Sequence, residues 1–270
     1  MKMKVKIGAL GPEGSYSDKA ARLWRPKADL TYFDDFEDVL KAVEAGDVDV
    51  GIVPLENSLE GAIGLTMDLL LRMPLCIRGE VNLPIRHCLV GRGDGVVKII
   101  LSHPQGLAQC RQYIKLHYPG AEVRSTGSTS HAARLAQEFP EMAAIAGAGT
   151  AERYNLKILA KDIQDGSENV TRFAVVGKEM EPATGRDKTS LAIYLDRDRP
   201  GALYSILKEF AVREINLTRI ESRPSRRGLG DYYFYIDLEG HISDPIIEEA
   251  LAIIKGKSAM IRVLGSYPRA

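Results

Sequence analysis

Short apolar runs alternate with helix-like segments through roughly the first 165 residues, and this alternation constrains the fold most strongly. Residues 5–10, 30–33 and 48–53 are apolar runs of strand length. Between the last two, Asp34 or Asp35 precedes apolar residues spaced i, i+3, i+4 and i+7, as in an amphipathic helix capped by an aspartate. Strands that alternate with helices favour an α/β layer structure with a largely parallel sheet.

A second run of the same kind begins near residue 97. It predicts strands at 97–101, 121–124 and 142–146, and helices at 105–118 and 129–139. The intervening residues, 75–90, read as an extended crossing segment. Two α/β lobes with a cleft between them, similar to a periplasmic binding protein, are therefore predicted for this region.

The pattern changes after a charged segment with proline and glycine at 179–187, which reads as a linker. From residue 188 the predicted order is strand, helix, strand, strand, helix, strand, a ferredoxin-like βαββαβ unit. Two helices leave one face of such a sheet uncovered, which favours pairing with a second copy of the unit.

Composition excludes several classes of protein. Lys and Arg together number 36, as do Asp and Glu, so no charge excess favours a nucleic-acid or anionic-membrane partner. No apolar run approaches the ~20 residues of a membrane helix, and no signal-peptide core precedes Gly8. The three widely spaced cysteines fit neither a disulfide framework nor a metal site, which favours a cytoplasmic protein with reduced thiols.

Polar loops follow four of the predicted strands, at 11–17, 54–61, 102–110 and 125–130. The first suits either an anion site at a helix N-terminus or a plain turn capped by Ser15 or Ser17. Its glycines lack the G-x-G-x-x-G spacing of dinucleotide sites, so a nicotinamide dehydrogenase is not expected. Asn57 and Ser58 in the second loop are expected to orient a substrate or to cap the next helix. Ligands bind at the carboxyl ends of strands in open α/β sheets, so the loops are predicted to face one another across the cleft.

Residues 169–177 form an extended run that is predicted to return to the first lobe. In a regular strand Thr171 and Phe173 point to one side and Arg172 to the other. The alternation therefore leaves open whether Arg172 faces the cleft.

Taken together, these motifs resemble the prephenate dehydratase family over essentially the whole chain. The matching segments are GPEGSYS at 11–17, PLENSLEG at 54–61, SHPQ at 102–105 with QC at 109–110, and TRF at 171–173. GAL at 201–203 and ESRP at 221–224 resemble the signatures of the ACT domain that follows the catalytic region in this family. The absence of a preceding chorismate mutase segment favours the monofunctional form.

The resemblance implies a carbon–oxygen lyase that converts prephenate to phenylpyruvate, with loss of water and CO2, in L-phenylalanine biosynthesis. Neither a cofactor nor a metal is expected. Thr171 is the implied catalytic residue, which protonates the departing hydroxyl. The implied substrate-binding residues come from all four loops and the returning strand: Ser15, Asn57, Ser58, Ser102, Gln109, Thr126, Ser128, Thr129, Arg172 and Phe173.

The resemblance also implies allosteric feedback by L-phenylalanine, bound where two ACT domains meet in a homodimer or homotetramer. The implied effector-binding residues are Gly201, Ala202, Leu203, Asn216, Leu217, Glu221, Ser222, Arg223 and Pro224. The corresponding division is a catalytic region at 1–178, with lobes at roughly 1–80 plus 168–178 and at 81–167, a linker at 179–187 and an ACT domain at 188–270. Arogenate dehydratase and a non-catalytic two-lobed ligand sensor are the alternatives.

Overall fold

The computed structural model describes residues 4–166, 168–195, 200–226 and 231–270, which form two α/β lobes and a C-terminal α/β unit. The first lobe contains β1 (Lys6–Leu10), α1 (Tyr16–Trp24), β2 (Asp29–Phe33), α2 (Phe36–Ala45), β3 (Val50–Asn57), β4 (Gly61–Ala62), α3 (Gly64–Arg72) and β5 (Cys76–Pro84). The second lobe contains β6 (Cys88–Gly91), β7 (Ile99–Ser102), α4 (Pro104–Gln109), α5 (Arg111–His117), β8 (Glu122–Ser125), α6 (Thr129–Glu138), β9 (Met142–Ala146), α7 (Ala148–Arg153) and β10 (Lys157–Ala160). The chain then returns to the first lobe as β11 (Val170–Gly177).

The two lobes confirm the predicted bilobed α/β class, but their sheets are mixed rather than largely parallel. The first sheet has the order β2-β1-β3-β11-β5, in which β1 runs parallel to β2 and β3 while β11 is antiparallel to both of its neighbours. The second has the order β10-β6-β9-β7-β8, in which β6 is antiparallel to both β9 and β10. The antiparallel strands are those next to the two crossings between lobes, β5 to β6 and β10 to β11, which helix and strand periodicity does not orient.

Local chemistry explains where the helices begin and end. In α2 the Asp35 carboxylate accepts a hydrogen bond from the Asp38 N–H at 2.8 Å, which satisfies an otherwise unpaired donor. The same helix ends at Gly46, whose φ of 88° is readily reached only without a Cβ. Its buried residues are Val39, Leu40, Ala42 and Val43.

The C-terminal unit has the predicted βαββαβ order. Its elements are β12 (Asp187–Leu195), α8 (Ala202–Ala211), β13 (Leu217–Pro224), β14 (Tyr232–Glu239), α9 (Pro245–Lys255) and β15 (Ser258–Pro268). The strands form an antiparallel sheet of order β13-β14-β12-β15. The two helices cover one face, with Ile193, Phe210 and Ile236 in the core between them.

The opposite face of this sheet packs on the first lobe of the same chain. Tyr235 and Tyr267 of the C-terminal sheet share one buried cluster with Met67 and Leu70 of α3. At Gly265 the two backbones approach so closely that an added Cβ would lie 2.0 Å from the Ile77 carbonyl oxygen. The face that the helices leave open is therefore covered by the first lobe of the same chain, where a second copy of the unit was expected, and the edge strand β13 stays unpaired on one side among the described residues. Those residues also contain no helix long and apolar enough to cross a membrane.

Candidate active site

The two lobes meet where the parallel strands of each sheet end. The loop after β1 contacts the start of α7, which follows β9: an added Cβ on Gly14 would lie 3.0 Å from the carbonyl oxygen of Gly149. Gly14 has a φ of 81°, so both its conformation and its surroundings favour glycine. Arg153 in α7 also donates a hydrogen bond to the Glu13 carbonyl oxygen at 2.8 Å. The carboxyl edges of the two sheets thus face one another, as the loop positions predicted.

A hydrogen-bonded pair, Thr171 and Asn57, lies at this junction. Strand β11 places Thr171 opposite Asn57 of β3, and both side chains are buried. The Asn57 amide nitrogen Nδ2 donates to Thr171 Oγ1 at 2.9 Å. The Asn57 oxygen Oδ1 accepts from the backbone N–H groups of Leu59 and Glu60 at 3.0 and 3.2 Å, which fixes the orientation of the amide.

This orientation decides what the threonine hydroxyl does. Since Thr171 Oγ1 already accepts a hydrogen bond from Asn57, its proton is left to donate elsewhere, and a hydroxyl that accepts one hydrogen bond is polarised toward giving another. Thr171 is 8% exposed, so the residue retains a small accessible surface. Its hydroxyl is therefore a neutral hydrogen-bond donor that the Asn57 amide orients.

Neighbouring polar side chains tie β11 to the loop after β3. Ser58 Oγ donates to the Glu168 carbonyl oxygen at 2.7 Å and accepts from the Val170 N–H at 2.9 Å. Asn57 Nδ2 also lies 2.7 Å from Asn169 Oδ1, to which it donates. Ser58 therefore holds the start of β11 rather than capping the next helix, α3, which has no side-chain cap.

Gln109 brings the second lobe into the same network. Its Oε1 accepts from Asn169 Nδ2 at 2.8 Å and lies 2.7 Å from His87 Nε2, an arrangement that assigns the ring proton to Nε2. Its Nε2 donates to Glu60 Oε1 at 3.0 Å, and Gln105 donates to the other oxygen of the same carboxylate. Glu60 thereby bridges the two lobes at the mouth of the cleft.

His87 belongs to this network as a neutral group. Burial lowers the pKa of His87, against the smaller raising effects of its hydrogen bond to Gln109 and of the Glu60 charge. Tyr16 lies beside it, with its hydroxyl 3.3 Å from His87 Nδ1 and donating to the Arg86 carbonyl oxygen at 2.9 Å. Burial raises the pKa of Tyr16, so it stays protonated. His87 thus packs beside Tyr16 and holds Gln109 in position.

The structure contradicts the predicted substrate contact of Arg172. Its guanidinium lies on the opposite side of β11 from the cleft, where Nη2 donates to Asp237 Oδ2 at 2.5 Å and Nη1 to Glu80 Oε2 at 3.1 Å. Burial by itself disfavours the charge, but Asp237 and the other nearby acids outweigh it and raise the pKa of Arg172. The guanidinium is committed to protein carboxylates because strand alternation turns it away from Thr171.

Two other predicted substrate contacts are also corrected. Ser102 is fully buried and donates to the Ile145 carbonyl oxygen at 2.7 Å, so it joins β7 to β9. Phe173 is 2% exposed and packs in the first-lobe core with Ile7 and Ile52. Neither side chain has surface to offer a ligand, because both follow their strands into the sheet interior.

Ser15 and residues 126–129 precede α1 and α6, and their hydroxyl groups bind backbone groups of their own loops and helices. Ser15 Oγ donates to the Leu10 carbonyl oxygen at 3.0 Å and accepts from the Asp18 N–H at 3.2 Å, which caps α1. Thr126 Oγ1 donates to the Ser128 carbonyl oxygen at 2.9 Å, and Ser128 Oγ caps α6. Thr129 is the first residue of that helix. Their side chains serve the loops, while the helix N-termini face the edge where anions bind favourably.

The predicted effector residues fall on two sides of the C-terminal unit. Gly201 has a φ of 80°, has open space around it, and precedes α8, which begins with Ala202 and Leu203. Ser222 and Pro224 are exposed on β13, as is Asn216 just before that strand, while Leu217 is partly buried. Glu221 and Arg223 occupy the alternate positions and turn toward the first lobe.

Arg223 is therefore not free for an effector in this arrangement. Its guanidinium pairs with Asp68 of α3 at 3.2 Å, and it approaches Gly64 so closely that a side chain there would clash. This is a correction to the predicted effector site, with the same cause as for Arg172: side chains alternate along a strand, so neighbouring motif residues lie on opposite faces.

Sequence reasoning assigned no binding role to four residues of the network: Glu60, His87, Gln105 and Asn169. No local sequence pattern marks these residues, because each forms its hydrogen bonds in the network with a partner 22 or more positions away. Gln109 and Asn169, for example, are 60 positions apart. Among the described residues, no group of three or more His, Cys, Asp or Glu side chains has the arrangement of a metal site.

Comparisons with known proteins match nearly the whole chain to one family and one additional domain type. A family model described as prephenate dehydratase matches residues 7–181, and an ACT domain model matches 189–256. The prephenate dehydratase of Methanocaldococcus jannaschii is 43% identical over 266 residues, which cover 95% of this chain and 96% of that protein. The structure of the Arthrobacter aurescens prephenate dehydratase in complex with L-Phe matches with a TM-score of 0.89 at 37% identity, covering 98% of this chain and 90% of that one.

A further solved structure with the same fold has a different description. GqqA, called a novel type of quorum quenching acylase, matches with a TM-score of 0.88 at 30% identity, covering 98% of both chains. Proteins described by different reactions thus share this fold, so the site residues must decide the reaction.

Proposed function

Because the chain belongs to the prephenate dehydratase family, we propose that it converts prephenate to phenylpyruvate with loss of water and CO2, for L-phenylalanine biosynthesis. The observation that carries the proposal is the hydrogen bond from Asn57 to Thr171, which turns a neutral hydroxyl into an aimed proton donor. Monofunctional prephenate dehydratases about 40% identical over nearly the full chain support the choice of substrate.

The chemistry needs a proton where the ring hydroxyl departs. As the C–O bond breaks, the leaving oxygen takes the Thr171 proton and departs as water. The electron pair of the ring–carboxylate bond enters the ring, which becomes aromatic, and the carboxylate leaves as CO2. The net reaction consumes one proton, which solvent returns to Thr171, and no external oxidant or reductant enters, so no cofactor is required.

Catalysis then divides between proton donation and positioning. A well-placed general acid contributes about 10²–10⁴-fold in rate. We propose that the second amide N–H of Gln109 and the backbone N–H groups at the N-termini of α1 and α6 orient the two substrate carboxylates, while Ser58 holds the start of β11; preorganised dipoles of this kind supply the rest of the acceleration. Closure of the lobes through Glu60 excludes water from the reacting ring.

The C-terminal unit is proposed to sense L-phenylalanine. Gly201 is exposed at the N-terminus of the ten-residue helix α8, where backbone N–H groups suit an amino-acid carboxylate. Edge strand β13 exposes Ile220, and Tyr204 of α8 is 68% exposed. We propose that two copies associate through this edge and bind the effector between them, as a homodimer or a pair of dimers. Three buried, unpaired cysteines support a reducing, cytoplasmic location.

Phenylpyruvate formation from prephenate, with and without L-phenylalanine, tests the proposal. We expect Thr171→Ala to lower kcat by about 10²–10⁴ with a much smaller change in KM, and Thr171→Ser to keep part of the activity. Thr31→Ala, at an exposed threonine of β2, is the matched control and should behave as wild type.

Each alternative has its own outcome in this assay. Arogenate turnover without prephenate turnover would replace the substrate, and binding of prephenate without turnover would indicate a ligand sensor. Hydrolysis of an acyl amide instead of prephenate would place the chain with the acylase that shares its fold. An equal effect of Thr171→Ala on kcat and KM would contradict the acid role.

A further inference from the structure

A buried ionic cluster lies directly behind the Thr171–Asn57 pair. Arg172 and Glu56 are the sequence neighbours of this pair on β11 and β3, and the two face each other in the strand register. Strand alternation sends their side chains to the opposite side of the sheet from the hydroxyl and the amide. The cluster and the candidate catalytic pair therefore share the same backbone segments.

Six charged side chains form the cluster, three acidic and three basic. The first lobe provides Glu56, Glu80 and Arg172, and the ACT unit provides Lys188, Arg219 and Asp237. Arg172 lies 2.8 Å from Glu56, while Lys188 lies 2.8 Å from Glu80 and Arg219 2.9 Å from Glu56. The side-chain exposures of Glu80, Asp237 and Arg172 are 3%, 3% and 7%.

Neither half of the cluster is neutral alone. The first-lobe half carries a formal charge of −1 (two acids, one base) and these three ACT side chains carry +1 (one acid, two bases), while Glu221 of the ACT unit lies 3.8 Å from Arg219; the first-lobe half is therefore balanced only when the ACT unit is docked. Removing one residue of a buried ion pair lowers the free energy of unfolding strongly, because the remaining charge stays buried without a partner.

On the ACT side, each carboxylate oxygen of Asp237 accepts a hydrogen bond. Ser190 Oγ donates to its Oδ1 at 2.7 Å, and its Oδ2 accepts the 2.5 Å hydrogen bond from Arg172. Tyr267, fully buried, lies 2.8 Å from Ser190 Oγ and completes this support. The register between β11 and β3 shifts between Arg172 and Phe173, where Leu55 is an extra residue of β3, so the ladder on this side of β11 is locally interrupted next to Thr171.

We propose that Arg172 is a positioning residue for Thr171, and that Asp237 of the ACT unit holds it in place. The ACT unit is then a structural part of the active site as well as a sensor. The guanidinium anchors β11 beside this register shift, on the opposite face from Thr171, and Thr171 keeps its distance to Asn57 only while Asp237 holds the guanidinium in place. This inference rests on the proposed acid role of Thr171.

The test compares two interdomain ion pairs in the full chain. Asp237→Asn removes the charge that holds Arg172, whereas Asp68→Asn removes the partner of Arg223 in the same interface but away from β11. We expect Asp237→Asn to lower kcat about tenfold with KM within about twofold of wild type, since a small misplacement of a reacting group has this kind of effect. Asp68→Asn should leave both constants within about twofold.

A kcat for Asp237→Asn within about twofold of wild type would overturn the proposal, and so would equal losses in both variants, which indicate general loosening of the interface. If thermal melting shows Asp237→Asn unfolded at the assay temperature, Ser190→Ala decides, because it keeps every charge and removes one support of Asp237. It should lower kcat about threefold, and an unchanged kcat would refute the role. Lack of prephenate turnover by the wild type would instead count against the proposed function.

Discussion

Replacing Asn57 with aspartate removes the hydrogen-bond donor of this side chain and keeps its acceptor. The two side chains have nearly the same shape, and the retained oxygen still accepts from the N–H groups of Leu59 and Glu60. The nitrogen that donates to Thr171 Oγ1 at 2.9 Å and to Asn169 Oδ1 at 2.7 Å becomes an oxygen. The loop therefore keeps its conformation while the hydrogen bond between this side chain and Thr171 reverses.

The magnitude follows from these two contacts. At neutral pH the new carboxylate accepts the single proton of Thr171, so the hydroxyl no longer donates to the substrate, and kcat should fall by about 10²–10⁴. The hydrogen bond with Thr171 is reversed and the one to Asn169 is lost, so the free energy of unfolding should fall by about 1 kcal/mol, the net contribution of one neutral hydrogen bond. KM should change much less, because Asn57 acts through Thr171.

The assay is the pH dependence of kcat, from neutral pH downward. Protonation of the introduced carboxylate restores an O–H that donates to Thr171, so the variant should regain activity as the pH falls, while the wild type gains none. Asn155→Asp, at an exposed position of the second lobe, is the matched control. A kcat for Asn57→Asp within about threefold of wild type at neutral pH would refute the polarised hydroxyl.

Three further predictions concern stability and reactivity. Gly265→Ala places a methyl group 2.0 Å from the Ile77 carbonyl oxygen, and because backbone cannot easily move aside, urea unfolding should show a loss of about 1–3 kcal/mol or more; Gly120→Ala, with open space around it, should show little change. Because burial lowers the pKa of His87, acidification below the ordinary value of 6.5 should lower the free energy of unfolding, since the unfolded chain binds the proton first; His87→Gln should flatten this slope, and an unchanged slope would contradict it. Burial raises the pKa of the Cys110 thiol to about 12 and also raises the pKa values of Cys76 and Cys88, so a disulfide reagent at neutral pH should label the three cysteines only after denaturation, and rapid labelling of the folded protein would contradict the packing.

Much of the architecture was predictable because it depends on local periodicity. The alternation of apolar runs and amphipathic segments predicted the α/β lobes, and the change of order after residue 187 predicted the βαββαβ unit. The cap at Asp35 was also predictable, because a helix N-terminus needs an acceptor close in sequence. Strand direction was not, and both lobe sheets are mixed where a largely parallel arrangement was expected.

The candidate site was likewise only partly predictable from local sequence patterns. Thr171, Asn57, Ser58 and Gln109 were named from motifs, yet their connection depends on Asn169, which no local pattern marked. Ser102 and Phe173 were named and lie in strand interiors, because membership of a motif does not show which face of a sheet a residue occupies.

The sequence by itself determined the elements, their order and the polar loops at the strand ends, because these follow from side-chain periodicity and capping over a few residues. Tertiary structure decided the pairing of Thr171 with Asn57 and of Arg172 with Asp237, which are 114 and 65 positions apart. Such pairings depend on strand register and on the docking of separate units. A shift of one residue in a strand exchanges its two faces, so only the folded molecule sets which neighbour faces the substrate and which faces the ACT unit.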